Sequence, residues 1–168
     1  MSPLPRAILA SAPAPVRAQT VLVGCSAGEW HTFPSLLISV FLVRRGYRVV
    51  YLGANIPVEQ LAETAETIQP NLIILSAQRL PAAASLKSAA EKLRNFPLAF
   101  GGLIFNLKPD LISFVGGHFL GPALNHAVNR VEQLLLAPSA NPPPQLTSPE
   151  AFSGLGSFLE NRGVIESN

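Results

Sequence analysis

The chain has 168 residues, 48% of them hydrophobic and 13% charged, with a net charge of +2. That suits one domain with a real core and excludes a body disordered by composition, while so little charge implies a surface covered in part by a ligand, a partner or another copy. The lone Cys25 excludes an internal disulfide framework, no apolar run approaches a membrane span, and Arg6 followed by Ala7-Ile8-Leu9-Ala10 is too short and Pro-interrupted for a signal peptide, so a cytoplasmic protein is expected.

Residues 1–19 carry Pro3, Pro5, Pro13 and Pro15 among Ala and Ser. They read as a flexible or polyproline-type leader with one short helix near residues 6–12. The apolar run 21–25 reads as a buried strand, and Cys25 in it as a small buried hydrophobe. Residues 35–45 are apolar nearly all round, which predicts a well-buried helix ended by Gly46. A Val- and Tyr-rich strand follows at 48–52. Pro57 takes a first-turn position of the next helix, whose stripe is Val58, Leu61, Ala62, Ala65 and Ile68, and Pro70 closes it. The continuous apolar run 72–75 has the signature of a central parallel strand. A third helix over 81–96 sets Leu86, Ala89, Ala90 and Leu93 on one face. A fourth strand, 98–100, runs into Gly101-Gly102; then come a short helix or turn at 109–114, an edge strand at 118–120 and a closing helix at 122–136. Residues 137–168, with Pro142-Pro143-Pro144, read as a mostly disordered tail holding one weak helix at 152–162 that docks. Arg44, Arg45 and Arg48 read as the solvated end of a helix and its turn, so no direct nucleic-acid contact is expected.

Strand and helix alternate, which predicts a parallel sheet with right-handed crossovers. The expected fold is α/β and flavodoxin-like (Rossmann-like): a five-stranded parallel sheet in the order 2-1-3-4-5, helices on both faces, in one domain over residues 20–136. In that order the loops 26–34, 76–80 and 101–106 meet at one edge. There is no GxGxxG and no Walker loop, so the usual nucleotide sites are not supported. His31 stands just beyond the first strand with Glu29 two positions earlier, a placement from which an imidazole can ligate a metal while a polar neighbour orients it. The Ser76 hydroxyl can bond a ligand entering between strands, and a flat or long group can lie on the bare backbone of Gly101 and Gly102. Together they describe a deep slot walled by small residues with one imidazole at its mouth.

Plainer roles compete with these. Glu29 suits a surface carboxylate, Ser76 a helix cap and the Gly pair a tight turn. Trp30 is expected to pack, His118 and His126 to be structural or surface residues, and Gln78 and Asn106, able to meet a polar ligand edge, are not counted in the site. No Ser-His-Asp or Cys-His set and no suitably spaced carboxylate pair is evident, so the chain does not read as an enzyme in its own right.

Four stretches point to a family: Glu29-Trp30-His31-Thr32-Phe33-Pro34, then Tyr51-Leu52-Gly53-Ala54-Asn55-Ile56-Pro57, Leu75-Ser76-Ala77, and Phe100-Gly101-Gly102. In that order, each after its own strand, they resemble the cobalamin-binding domains of corrinoid enzymes and of MerR-type cobalamin photoreceptor regulators. The Glu form of the motif and the Leu-Gly-Ala segment look closest to the regulators. The resemblance implies cobalamin as cofactor, in its adenosyl or methyl form, with His31 replacing the nucleotide base as lower cobalt ligand and Glu29 holding the imidazole N–H. It places the displaced nucleotide tail beside Ser76, Gly101 and Gly102. It also implies a sensor or regulatory module, concerned with transcription, acting through a protein partner or as a homo-oligomer. Two departures stand out. Pro34 occupies the motif's Gly position, and only the Pro-rich leader precedes the first strand where the regulators carry a DNA-binding domain and a helical bundle. DNA binding and photochemistry therefore do not transfer. Two other readings fit: a corrinoid carrier subunit for methyl transfer, and a degenerate domain kept only as an interaction surface, which Pro34 favours.

Overall fold

The computed structural model describes residues 14–137 together with Ala7 and Ser11. The short helix expected at 6–12 lies largely, and the tail 138–168 wholly, outside the described residues. Along β1 (Thr20–Cys25) every residue from Val21 onward is buried, and the same holds throughout β3 (Leu72–Ser76). Strands buried on both sides belong at the middle of a sheet covered on both faces.

The remaining strands are β2 (Arg48–Gly53), β4 (Leu98–Gly101) and the two-residue β5 (His118–Phe119). All neighbours pair in parallel, in the order β2-β1-β3-β4-β5, the topology read from the alternation of apolar strand and amphipathic helix. Side chains alternate across the pleat and divide the core in two. Leu22, Ile73, Leu75 and Phe100 face α2 (Val58–Ile68) and α3 (Leu80–Lys92), where Leu61, Ala65 and Leu86 meet them. Val21, Val23, Leu72, Ile74 and Ala99 face α1 (Phe33–Arg44) and α6 (Leu124–Leu136), packing on Ile38, Leu42, Val128 and Val131. Two short helices, α4 (Leu103–Leu107) and α5 (Asp110–Val115), fill the connection from β4 to β5. Phe105 of α4 stacks at a tilt on Phe100, ring centroids 4.8 Å apart.

Several boundaries differ from expectation for identifiable reasons. Helix α3 ends at Lys92, with Leu93 as its C-cap, because Leu93 belongs to the core through the cap and not through another helical turn. Pro57 is the N-cap of α2, one position before the first turn. Helix α4 has no sequence counterpart: five residues are too few to show periodicity. The well-buried helix expected over 35–45 begins earlier, at Phe33, and is less buried than expected: Phe41 is 39% exposed, since only Ser35, Ile38, Ser39 and Leu42 turn fully inward. Trp30, expected to pack, is 65% exposed. No helix among the described residues is long and apolar enough to cross a membrane.

The chain leaves β1 toward β2 on one side and reaches β3 on the other, so the strand order reverses between β1 and β3. In open α/β sheets the ligand crevice opens beyond the carboxyl ends of the strands at such a reversal. Register lines up the small residues there: Cys25 pairs with Ser76, and Ser76 with Gly101.

Candidate functional site

The loop from β1 to α1 is built around one buried carboxylate. Glu29 is wholly buried, and three N–H groups approach it. Its Oε1 accepts from the main-chain N–H of His31 at 2.9 Å and lies 2.7 Å from His31 Nδ1. Its Oε2 accepts the main-chain N–H of Gln78 at 2.6 Å. Burial alone pushes the carboxyl pKa up, but the N–H groups of Gln78 and His31 and then the imidazole outweigh it and hold the group below the usual carboxylate range. The carboxylate is therefore ionised and accepts only, so Nδ1 is the nitrogen that donates to it, and Nε2 is the ring nitrogen left to face away from the loop. His31 itself is 62% exposed at its side chain, and the described residues offer Nε2 no hydrogen bond.

The loop backbone is pinned from two sides. Asn55 donates its main-chain N–H to the Glu29 carbonyl at 2.8 Å, and its side-chain oxygen accepts from Gly28 N at 2.8 Å. Asn55 does so at a φ of 49°, in the left-handed region that Asn tolerates better than most residues. Ser26 donates its hydroxyl to the Ala82 carbonyl at 2.9 Å, tying the loop's start to α3. Pro34 sits in the first turn of α1, where an N–H would lack an intrahelical partner in any case and a φ near −65° is already helical. Replacing the motif's Gly by Pro therefore leaves the Glu29–His31 contact intact.

Beside this loop a cavity of about 240 Å³ opens between α1, the ends of β3 and β4, and the start of α6. Ser76, Gly101 and Gly102 line it, so the structure brings these three together, with Ile38, Ile74 and Leu124 as apolar walls. Glu29 and His31 do not line the cavity; they stand next to it through Gln78 and Pro34, which do. The two glycines differ. A Cβ on Gly102 would come within 1.8 Å of the Ala77 carbonyl oxygen, and its φ is 137°, so this position tolerates only glycine. A Cβ on Gly101 would meet nothing within 4 Å, so its missing side chain is open space on the cavity side. The Ser76 hydroxyl donates to Cys25 Sγ at 3.3 Å, and Cys25 also meets Ser35 Oγ at 3.2 Å. Burial pushes the Cys25 thiol pKa up, as expected of an inert packing cysteine. His118 and His126 lie outside this cluster.

Gln78, weighed in the sequence only for a polar ligand edge and not counted in the site, ties the loops together. Its main-chain N–H holds Glu29, and its Oε1 accepts from Leu103 N at 2.9 Å, bridging the first and fourth loops. Residue type could not reveal a role exercised through a main-chain N–H. Asn106 also lines the cavity and donates to the Pro122 carbonyl at 3.2 Å.

These features define a class: a doubly wound α/β domain that holds one oriented imidazole at the carboxyl edge of its sheet, beside an apolar slot floored by small residues. The chain belongs to the B12-binding domain family, whose pattern matches residues 19–123. It is 34% identical over 99 residues to the HTH-type transcriptional repressor CarA of Myxococcus xanthus, a match covering 56% of this chain and 33% of that protein. Its fold is similar to that of a cobalamin-binding protein from Desulfitobacterium hafniense, with a TM-score of 0.63 and 19% identity over 69% of this chain and 58% of that one. It is also similar to the methanol:cobalamin methyltransferase complex MtaBC of Methanosarcina barkeri, with a TM-score of 0.66 and 20% identity over 79% of this chain and 52% of that one. The chain thus spans about a third of the curated repressor's length and little more than half of the two structures.

The residues present fit cobalamin. Among the described residues no group of three or more His, Cys, Asp or Glu side chains is placed to hold a metal ion. A single protein imidazole is instead the donor set suited to a metal whose equatorial positions a macrocycle already fills. The open face of Gly101 and the apolar walls beside it suit an aromatic group entering the slot.

Proposed function

We propose that this chain is a cobalamin-binding sensor or regulatory module in the cytoplasm, with His31 as the lower axial cobalt ligand, acting through a protein partner or as a homo-oligomer. The observation that carries this reading is the contact between Glu29 Oε1 and His31 Nδ1, which leaves Nε2 bare and exposed at the edge of the slot. Glu29 acts as the orienting partner that a metal-ligating histidine needs, fixing both tautomer and ring direction. Ser76, Gly101 and Gly102 receive the nucleotide tail of adenosyl- or methylcobalamin, between the apolar walls of Ile38, Ile74 and Leu124. When bound, the cofactor supplies a cobalt centre whose upper ligand can change, which is the chemistry such a module senses. The exposed Trp30, Phe33 and Leu103 border this face and suit burial by the cofactor and a docked partner. Within the chain the domain corresponds to residues 20–136. Similarity to the repressor supports the regulatory branch.

A second reading, a corrinoid carrier subunit for methyl transfer, is favoured by the likeness to the methyltransferase complex. The two separate on function: a carrier turns over a methyl group with a methyltransferase, whereas a sensor changes its oligomeric state or partner affinity with the upper ligand. The test begins with the full chain mixed with adenosyl- or methylcobalamin, desalted, and read by its visible spectrum. Retained corrinoid is expected; none retained would sink both readings and leave the interaction surface.

A further inference from the structure

Helix α1 turns Ser35, Ile38, Ser39 and Leu42 inward and packs on β1, β2, β3 and α6. Its opposite side is apolar as well. Leu37 and Val40 are half-buried, Phe41 is 39% exposed and Arg44 is exposed. Spaced by three and four residues, these side chains share one stripe along the helix. The stripe ends on Arg44, which pairs with no carboxylate among the described residues. An apolar helix face left open in this way marks a surface that another segment or molecule covers.

The chain itself supplies an occupant. Arg45, the C-cap of α1, pairs with Glu132 of α6, and one turn later α6 ends at Leu136, which is 70% exposed. Residues 138–168 therefore leave the domain beside the Arg44 end of the stripe. In their sequence Phe152, Leu155, Phe158 and Leu159 fall on one side at helical spacing, between Glu150 and Glu160. Fully extended, residues 138–151 span roughly 45 Å, whereas α1, with 12 residues, is about 18 Å long, so the segment reaches any part of the stripe. Residues 138–168 carry three glutamates and one arginine, the complement of the exposed Arg44 and Arg48. A second copy presenting the same face would bring no acid, since α1 contains none, and the leader's only charged side chain before Arg17 is Arg6. We propose that residues 150–162 dock on the outer face of α1, with Phe152, Leu155, Phe158 and Leu159 against Leu37, Val40 and Phe41, and Glu150 beside Arg44. Tethered to the domain, the segment meets this face at an effective concentration of about millimolar order. The helix it covers carries Pro34, Ser35 and Ile38 of the cavity wall, so the docked segment braces that wall from behind.

The test is hydrogen–deuterium exchange of residues 150–162 in the full, corrinoid-free chain, compared with a synthetic peptide of the same sequence, with light scattering on the same samples. Gly154 and Gly156 make the segment a poor helix by itself, so slowed exchange reports docking. In the wild type, exchange is expected to be at least about tenfold slower than in the peptide. Phe41→Glu should abolish this protection, and Arg44→Glu, at an exposed position where the fold does not depend on the side chain, should cut it severalfold. Wild-type exchange as fast as the peptide's would overturn docking. Protection that Arg44→Glu leaves unchanged would overturn α1 as the dock, even where Phe41→Glu lowers it by unsettling the helix. A wild-type dimer that Phe41→Glu dissociates, with the segment unprotected in both, would give the face to a second copy instead. With no corrinoid present, none of these outcomes bears on the ligation of cobalt.

Discussion

Glu29 Oε1 meets both the main-chain N–H and Nδ1 of His31, so one buried oxygen fixes the backbone and the ring of the same residue. Glu29→Gln replaces one carboxylate oxygen with an NH2 group, and whichever way the amide turns, that group faces a donor. The expected cost is about 1–3 kcal/mol of stability, read as a lower Tm of the corrinoid-free protein. An unchanged Tm would mean that the carboxylate does not organise this loop.

The glycine pair separates packing from binding. Gly102→Ala drives a Cβ into the Ala77 carbonyl at a φ unsuited to alanine, and should destabilise by roughly 2–4 kcal/mol. Gly101→Ala meets no atom of the protein. Its stability should stay within about 1 kcal/mol of wild type, while cobalamin affinity falls and cobinamide affinity holds. Denaturant unfolding and visible titration on the same two variants read both effects, and equal behaviour of the two would contradict the assignment.

Pro34 tests the degenerate-domain alternative. Placed in the first turn of α1, it restricts the unfolded chain at little native cost, so Pro34→Gly should lower stability by about 1 kcal/mol. Corrinoid affinity by titration should change by less than about threefold, well under 1 kcal/mol. A large gain in affinity on restoring Gly would show that Pro34 disables the loop.

His118, which does not line the cavity, provides a pH signature of its own. Burial first, and the charge of Arg130 second, hold its pKa below the ordinary value of 6.5. The unfolded chain therefore takes up a proton at His118 before the folded one does. The stability this group contributes is present above about pH 6.5 and is lost as pH falls from there through the folded pKa. Tm of the apo protein should drop more steeply below pH 6.5 in wild type than in His118→Gln; parallel curves would refute it.

Legibility in the sequence follows the range of the interactions. Strands β1 and β3 read clearly because burial on both faces demands unbroken apolar runs, and the alternation with amphipathic α2 dictates the parallel topology. Ser76 and Gly101 could be set together from topology alone, since ends of neighbouring parallel strands must meet. What escaped depends on contacts that residue type does not announce. Helix α4 is too short for periodicity, and Gln78 works through a main-chain N–H and one half of its amide. The exposure of Trp30 escaped because an apolar residue at the surface carries the same letter as one in the core.

The central claim is that His31 Nε2 ligates cobalt. It is tested most directly by the visible spectrum of the desalted cobalamin complex in wild type and in His31→Ala, each with and without added imidazole. The account predicts a spectrum typical of nitrogen ligation in wild type, its loss in His31→Ala with corrinoid still partly retained, and its return when imidazole is added. Identical spectra in the two proteins would contradict axial ligation by His31.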